Sequence, residues 1–382
     1  MTRYVRPAAV ALACLLAALG WQALTVACNY RGNWTAFFVT GGNLPLPPSD
    51  RFQRTHVFPG SPGYDGQFYR YIAHDPLLTR GLDAYLDAPR LRSRRILVPG
   101  LAHLVALGRP AIVDAAYLAV VSAFVFLGAM WAARFSAACG LSPAWGFGFL
   151  LVPAVLISLD RMTVDVALAA LCCGWVLPSG SPARRFLVLA LAPLARETGL
   201  LLSAASLWSA VSRRKYRDAI LCALSTFPAA AWFLYIVART PPMPAFSWFS
   251  AVPFAGMLGR IFTPPPYPLN LQFRTAIVAL DYLALAAIAA AVALAVALWW
   301  RNRRGAVESA ILSFAFLAML ASRADVWIDA YGYTRVFSPL LVLLALQALP
   351  LRRPVLALPL LAAAIRVLAQ LAPQALGIAR CG

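Results

Sequence analysis

Apolar residues run along this chain in long unbroken blocks, without the three-and-four spacing by which a helix shows one face to water. Blocks of about 16 to 26 residues cover 7–28, 111–133, 142–159, 163–178, 218–238, 275–300, 306–322, 333–349 and 354–372, the length a helix needs to cross a hydrocarbon layer. Two blocks depart from the pattern. Residues 96–108 (ILVPGLAHLVALG) are short and carry Pro, Gly and His, and residues 185–211 are interrupted by Pro193 and the adjacent charges Arg196 and Glu197. The first block follows the basic start MTRYVR. It is longer than the apolar core of a signal peptide and has no convincing small-residue cleavage site, so it reads as a retained first helix.

Polar sequence collects in 30–95 and 239–274. The first contains the Pro-rich LPLPPSDRFQ and a helix over 66–74 that places Phe68, Tyr71 and Ile72 on one face, with Tyr69 and Arg70 toward the other. That pattern predicts a helix lying in the membrane interface, ended by Asp75 before Pro76. The second, with TPPMPAFSWFS and FTPPPYPLN, predicts a semi-rigid cover at the interface.

Composition sharpens the class. With 62% hydrophobic and 12% charged residues, no water-exposed surface of ordinary polarity can be drawn from the chain. The expected architecture is an all-α polytopic membrane protein, one domain over 1–382, with about 10–11 transmembrane segments and a long first outer loop carrying interfacial helices. The net charge of +19 is almost wholly Arg, with Lys215 the single Lys. Positive-inside bias and contact with membrane lipids account for it, and nucleic acid is not expected as a partner. The seven cysteines show no metal-ligand spacing, and no structural disulfide is expected, although Cys28 and Cys381 both fall on the outer side.

Basic connections at MTRYVR, SRRKYRD (212–218), RNRRG (301–305) and LRRP (351–354) read as cytoplasmic, which puts 30–95, 239–274 and 323–332 outside. Between 96 and 211 two arrangements satisfy the parity. Either 96–108 crosses and 185–211 is one span, or 96–108 stays at the outer surface and 185–211 is a hairpin turning at Arg196 and Glu197. The hairpin fits the charge rule better and spares an ion pair from the membrane midplane, so it is the expected arrangement. It gathers Asp65, Asp114, Asp160, Asp165, Glu197, Asp325 and Asp329 at the outer face.

Chemistry-bearing residues stand out against the apolar background. In GYDGQFYRYIAHDP (63–76), Asp65 sits at a sharp turn just as a helix begins. It is suited to a general base with a raised pKa near the interface, and, in the commoner role of Asp at such a place, to a helix N-cap; the two roles are compatible. In LDRMTVDV, Asp160 and Asp165 flank a turn between spans, as site carboxylates or as an interfacial ion pair and a helix-start charge. In LARETGLLL, Arg196 and Glu197 break a hydrophobic run, as a phosphate-binding cavity or a structural pair. DVWIDAYGYTRVFSP (325–339) brings Tyr333 and Arg335 to the start of a span, where the aromatics suit an interfacial belt and Arg335 suits a membrane-level phosphate. RLRSRR (90–95) suits an anionic headgroup, or its arginines snorkel to the interface. No histidine has a metal-ligand partner at helical spacing.

Together, GYDGQFYRYIA in the first outer loop, RSRRILVPGLAHLVALG, LDRMTVD, LARETGLLL and YGYTRVFSPLLVLL resemble the integral-membrane glycosyltransferases of the GT-C class. The first motif is most similar to a bacterial group of GT-C-like proteins and, more distantly, to the mannosyltransferases of glycolipid-anchor assembly. The resemblance implies an inverting transfer from a polyprenyl-phosphate-linked sugar donor to the hydroxyl of a lipid or glycan acceptor, at the outer face of a bacterial cytoplasmic membrane. Asp65 is then the catalytic base. Arg196, Arg335 and Arg94 or Arg95 hold the departing phosphate, with Asp160, Asp165, Glu197 and Tyr333 around the substrate. No cofactor is implied. The paired first-loop acids of some members are missing here, which leaves a divalent metal open. Two other classes remain at this stage, a transporter or flippase of lipid-linked glycans and a non-catalytic membrane subunit.

Overall fold

The computed structural model describes residues 6–48, 54–178, 181–242 and 249–381. Most of MTRYVR, the end of LPLPPSDRFQ and residues 243–248 within TPPMPAFSWFS lie outside the described residues.

The chain begins with α1 (Pro7–Asn29), whose proline fills the first helical position, where no backbone N–H is needed. The loop that follows carries a parallel two-residue pair, β1 (Thr40–Gly41) with β2 (Val57–Phe58), then α2 (Asp65–His74), α3 (Pro89–Arg92) and α4 (Leu97–Val105). The bundle continues with α5 (Pro110–Ala138), α6 (Pro153–Arg161), α7 (Asp165–Val176), α8 (Pro182–Ala195) and α9 (Leu200–Ser212). Next come α10 (Tyr216–Leu224), α11 (Phe227–Arg239), α12 (Ala255–Phe262), α13 (Leu271–Arg301) and α14 (Ala306–Leu320). The last elements are α15 (Ala324–Trp327), α16 (Ala330–Val336), α17 (Ser338–Leu351), α18 (Leu358–Gln370) and α19 (Ala372–Ala379). Among the described residues, four helical stretches are long and apolar enough to cross a membrane, and seven if each bent pair counts as one span. The chain is an all-α protein with the helices of a multi-pass membrane protein.

The two ends of the bundle differ chemically. At one end two basic connections meet, Ser209 donating to the Arg304 carbonyl at 2.7 Å and Trp208 to that of Arg303 at 3.0 Å, and the basic Arg352 donates to the carbonyl of Cys139, just past α5, at 2.9 Å. At the other end the first loop closes over the starts of α5, α7 and α9. Arg70 of α2 holds Asp114, near the start of α5, with contacts of 2.9 and 2.6 Å. These ends are called basic and acidic below.

Helix α2 corrects the expectation of an interfacial helix. Every residue from Gly66 to His74 is buried, because α2 is inserted against α4, α5 and the 3-10 turn Trp34–Phe38 instead of lying on a surface. Its start is fixed by Gly66: a Cβ there would collide with the Arg161 carbonyl oxygen and lie 3.1 Å from that of Phe38. The N-cap position belongs to Tyr64, whose side chain makes no capping bond. Asp65 is therefore the first helical residue, not the cap, and its carboxylate is free to turn elsewhere.

The stretch 96–108 forms only the nine-residue α4, too short to cross a membrane. Helix α8 runs from the basic end and stops at Arg196, whose backbone is extended (φ −160°, ψ 140°). A short 3-10 turn, Glu197–Gly199, then leads into α9. Here 185–211 is a hairpin of two half-helices, as the charge pattern expects. A second correction concerns cysteine: Cys28, at the end of α1, is bonded to Cys381, with Cα atoms 5.4 Å apart. Sequence spacing did not predict it, because a separation of 353 residues carries no local signal. The docking of α19 beside α1, seen in the bond from Asn29 to the Gln374 carbonyl, brings the two cysteines together.

Candidate functional site

Asp65 projects from the first turn of α2 into a group of arginines drawn from three elements. Its Oδ2 lies 2.8 Å from Arg92 of α3 and 2.7 Å from Arg335 of α16. Arg335 bridges onward, its Nε 3.6 Å from Asp165 at the start of α7, and Asp165 is also paired with Arg196 at the helix break. The next residue, Glu197, forms a two-pronged pair with Arg95 at 2.8 and 2.6 Å. Arg95 also donates to the Tyr69 hydroxyl at 2.9 Å. Three acids, Asp65, Asp165 and Glu197, thus face four arginines, Arg92, Arg95, Arg196 and Arg335, with Asp87 pairing Arg92 from the rim.

Arg335 is incompletely satisfied. Its Nε and Nη1, both buried, have no hydrogen-bond partner, and neither has Asp165 Oδ2. Tyr64 packs its ring 5.2 Å from the Arg335 guanidinium, which holds the planar group in place by cation–π attraction. The Asp65 side chain keeps 16% of its surface open, so the carboxylate is reachable from the acidic end. A buried guanidinium with donors to spare is a ready site for an oxyanion, and the fork geometry suits phosphate in particular.

The electrostatics correct one expectation. Burial by itself would raise the Asp65 carboxyl, but the Arg335 and Arg92 charges outweigh it and hold the group well below the usual carboxylate range. Arg92 is raised correspondingly: burial opposes its charge, and Asp65 more than restores it. Asp65 is therefore ionised at every physiological pH and clamped. The sequence predicted a raised pKa because the arginines that face it come from distant stretches.

Of the residues singled out from sequence, Asp65, Arg95, Asp165, Arg196, Glu197 and Arg335 come together. Asp160 sits beside them, held by Arg161 at 2.9 Å, Tyr331 at 3.1 Å and Gln374 at 3.1 Å. It shares the Tyr64 wall, since Arg161 lies 5.9 Å from that ring. Two of the residues singled out lie apart from this group. Arg94 turns away and rests over the Phe233 ring of α11 at 5.6 Å, because successive residues of the RLRSRR turn point in different directions. Tyr333 stacks on Trp327 and donates to the Asp281 carbonyl at 3.3 Å, on nearly the opposite side of α16 from Arg335, because residues two apart in a helix point in opposed directions.

Sequence reasoning missed Arg92, Tyr64 and Tyr69 at this site. It also missed a second buried cluster, where Asp281 of α13 takes Arg366 of α18 and Arg260 of α12, each at 2.7 Å, and the Tyr267 hydroxyl at 2.8 Å. The signal was there: Asp281 and Arg366 are each a lone charge inside an apolar block, and such charges need partners. Among the described residues no group of three or more His, Cys, Asp or Glu is placed to hold a metal ion.

Comparison with protein-family models, with curated proteins and with solved structures finds no match to this chain. The functional reading therefore rests on the site.

Proposed function

We propose that this protein is a membrane glycosyltransferase of the GT-C kind. It moves a sugar from a polyprenyl-phosphate donor to an acceptor hydroxyl at the acidic end of the bundle. The observation that carries the reading is the pairing of Asp65 with an under-satisfied Arg335. A carboxylate with 16% of its side chain open and a nearly buried guanidinium with donors to spare are in direct contact.

The contact defines a sequence of events. A lipid-linked phosphate entering the site offers oxygens to Arg335, whose Nε and Nη1 make no hydrogen bond although Nε keeps Asp165 at 3.6 Å, and draws it from Asp65. The carboxylate, relieved of one cation, becomes a stronger base and accepts the proton of the acceptor hydroxyl. That oxygen attacks the anomeric carbon as the bond to the phosphate oxygen breaks, inverting the centre. Charge building on the departing phosphate is met by Arg335, with Arg196 and Arg95 holding Asp165 and Glu197 in place behind it. Lysine at 335 supplies charge without the fork, so Arg335→Lys lowers kcat more than it raises KM.

Two independent features support the proposed orientation. The basic connections gather at one end, and the Cys28–Cys381 bridge lies at the other, where an oxidising compartment would preserve it. Both support an acidic end outside the cytoplasmic membrane. With α7, α8, α9 and α14 counted beside the longer helices, the chain makes about 10–11 crossings, the shorter ones shielded by their neighbours.

The test is a transfer assay in membranes supplied with polyprenyl-phosphate sugars. Asp65→Asn is expected to lower transfer by about 10²- to 10⁴-fold, the usual worth of a general base. Full transfer by this variant overturns the assignment. Movement of a labelled lipid across the membrane with no new glycosidic bond replaces the enzyme by a transporter.

A further inference from the structure

At the basic end, on the far side of the molecule from Asp65, two adjoining cavities open beside α8 and α10. The larger, of about 260 Å³, is lined by Arg185, Arg213, Lys215 and Asp218, and by the first residues of α14. The smaller, of about 140 Å³, shares Arg185, Asp218 and Cys222 with it and is otherwise walled by apolar groups such as Phe186, Leu189 and Leu221. One lobe is basic, the other apolar, and the shared side chains join them.

The basic lobe is built for an anion. Three cations face one carboxylate, a surplus of two positive charges. Among the described residues, Arg185, Lys215 and Asp218 enter no ion pair, so the surplus is not spent within the protein. Ala306 and Val307, the first two residues of α14, form part of the same wall. The Glu308 carboxylate, in the first turn of α14, already lies against Gly305 at that helix start, so the contacts to an anion come from the side-chain cations and not from the helix end. The apolar lobe discriminates between anions, since a free phosphate would leave it empty while a phosphate on an aliphatic stem fills both.

We propose that this double cavity binds the phosphate headgroup of an anionic lipid, with the first part of its chain in the apolar lobe. The site is separate from the Asp65 cluster and does not depend on the glycosyl-transfer reading. Arg185, at the junction of the lobes, carries the phosphate contact, Lys215 supports it, and Asp218 limits the affinity by repulsion.

The test uses the purified full-length protein in detergent, titrated with dioleoyl phosphatidate and, separately, with inorganic phosphate, and read by native mass spectrometry and thermal shift. Phosphatidate is expected to bind and raise the melting midpoint, and millimolar phosphate is expected to do neither. Arg185→Gln is expected to weaken phosphatidate binding by about tenfold, the loss of one charge-assisted hydrogen bond. Asp218→Asn is expected to tighten it a few-fold, a gain that misfolding cannot imitate. Inorganic phosphate binding as tightly as phosphatidate overturns the lipid assignment. Phosphatidate binding left unchanged in both variants overturns the site.

Discussion

At the scale of single residues, the short helix after GYDG shows how little room the site leaves. Gly66 faces the Arg161 carbonyl so closely that any side chain must push α2 off the turn between α6 and α7. Gly66→Ala is expected to destabilise the fold by about 1–3 kcal/mol through overpacking, measured by thermal unfolding in detergent, and to displace Asp65 with it. Asp65 itself sets the pH behaviour. Its folded pKa lies below the unfolded value of 3.8, so its ion pairs stabilise the fold above that value and lose this contribution as pH falls below it. The midpoint difference between wild type and Asp65→Asn should stay constant from neutral pH to about pH 5 and shrink below about pH 4. The free-enzyme profile of kcat/KM should likewise show no acid limb from Asp65 above about pH 5. A limb near pH 6 would return Asp65 to the raised pKa that its sequence setting alone predicts.

At the scale of elements, charged interruptions of apolar blocks told most of the story. Arg196 and Glu197 mark the turn between α8 and α9 because a helix carrying both at the membrane midplane would bury them unpaired. At the turn they meet Asp165 and Arg95. Ser181, the exposed N-cap of α8, reports on this hairpin. A cysteine placed there should react with an impermeant maleimide only after the cell is opened, and labelling from outside would reverse the topology. The clamp around Asp281 makes a different claim. Arg366 is 1% exposed and bonds Asp281, Gln370 and the Tyr267 hydroxyl, whereas Arg260 shares only Asp281 and a loop carbonyl. Arg366→Leu is expected to cost about 3–5 kcal/mol and to lower the melting midpoint more than Arg260→Leu does. The reverse order would mean that α12, not α18, is held by this clamp.

At the scale of the whole molecule, the Cys28–Cys381 bond joins the first helix to the last at the acidic end, the end that the proposed orientation exposes to an oxidising compartment. Alkylation mapping of protein from intact cells should find both cysteines unreactive until reduction, and Cys28→Ser should leave Cys381 reactive. Free thiols at both positions without reduction would remove this support for an outward acidic end. The two ends also divide the chemistry. The acidic end holds paired charges in a closed network, while the basic end holds unpaired cations around an open cavity.

The sequence by itself determined the all-helical class with membrane-length apolar segments, made the hairpin over 185–211 the expected one of two arrangements, and marked most of the charged residues that the fold brings together. These follow from the cost of a charge or an unpaired backbone group in an apolar setting, which acts on each segment independently of its neighbours. Only the tertiary structure decided which charge meets which. It buried α2, turned Arg92 and not Arg94 toward Asp65, set Arg335 between two acids and joined Cys28 to Cys381. Pairing depends on distances between segments far apart in the chain, and the sign of the Asp65 pKa shift depends on that pairing, so neither is written in any local stretch.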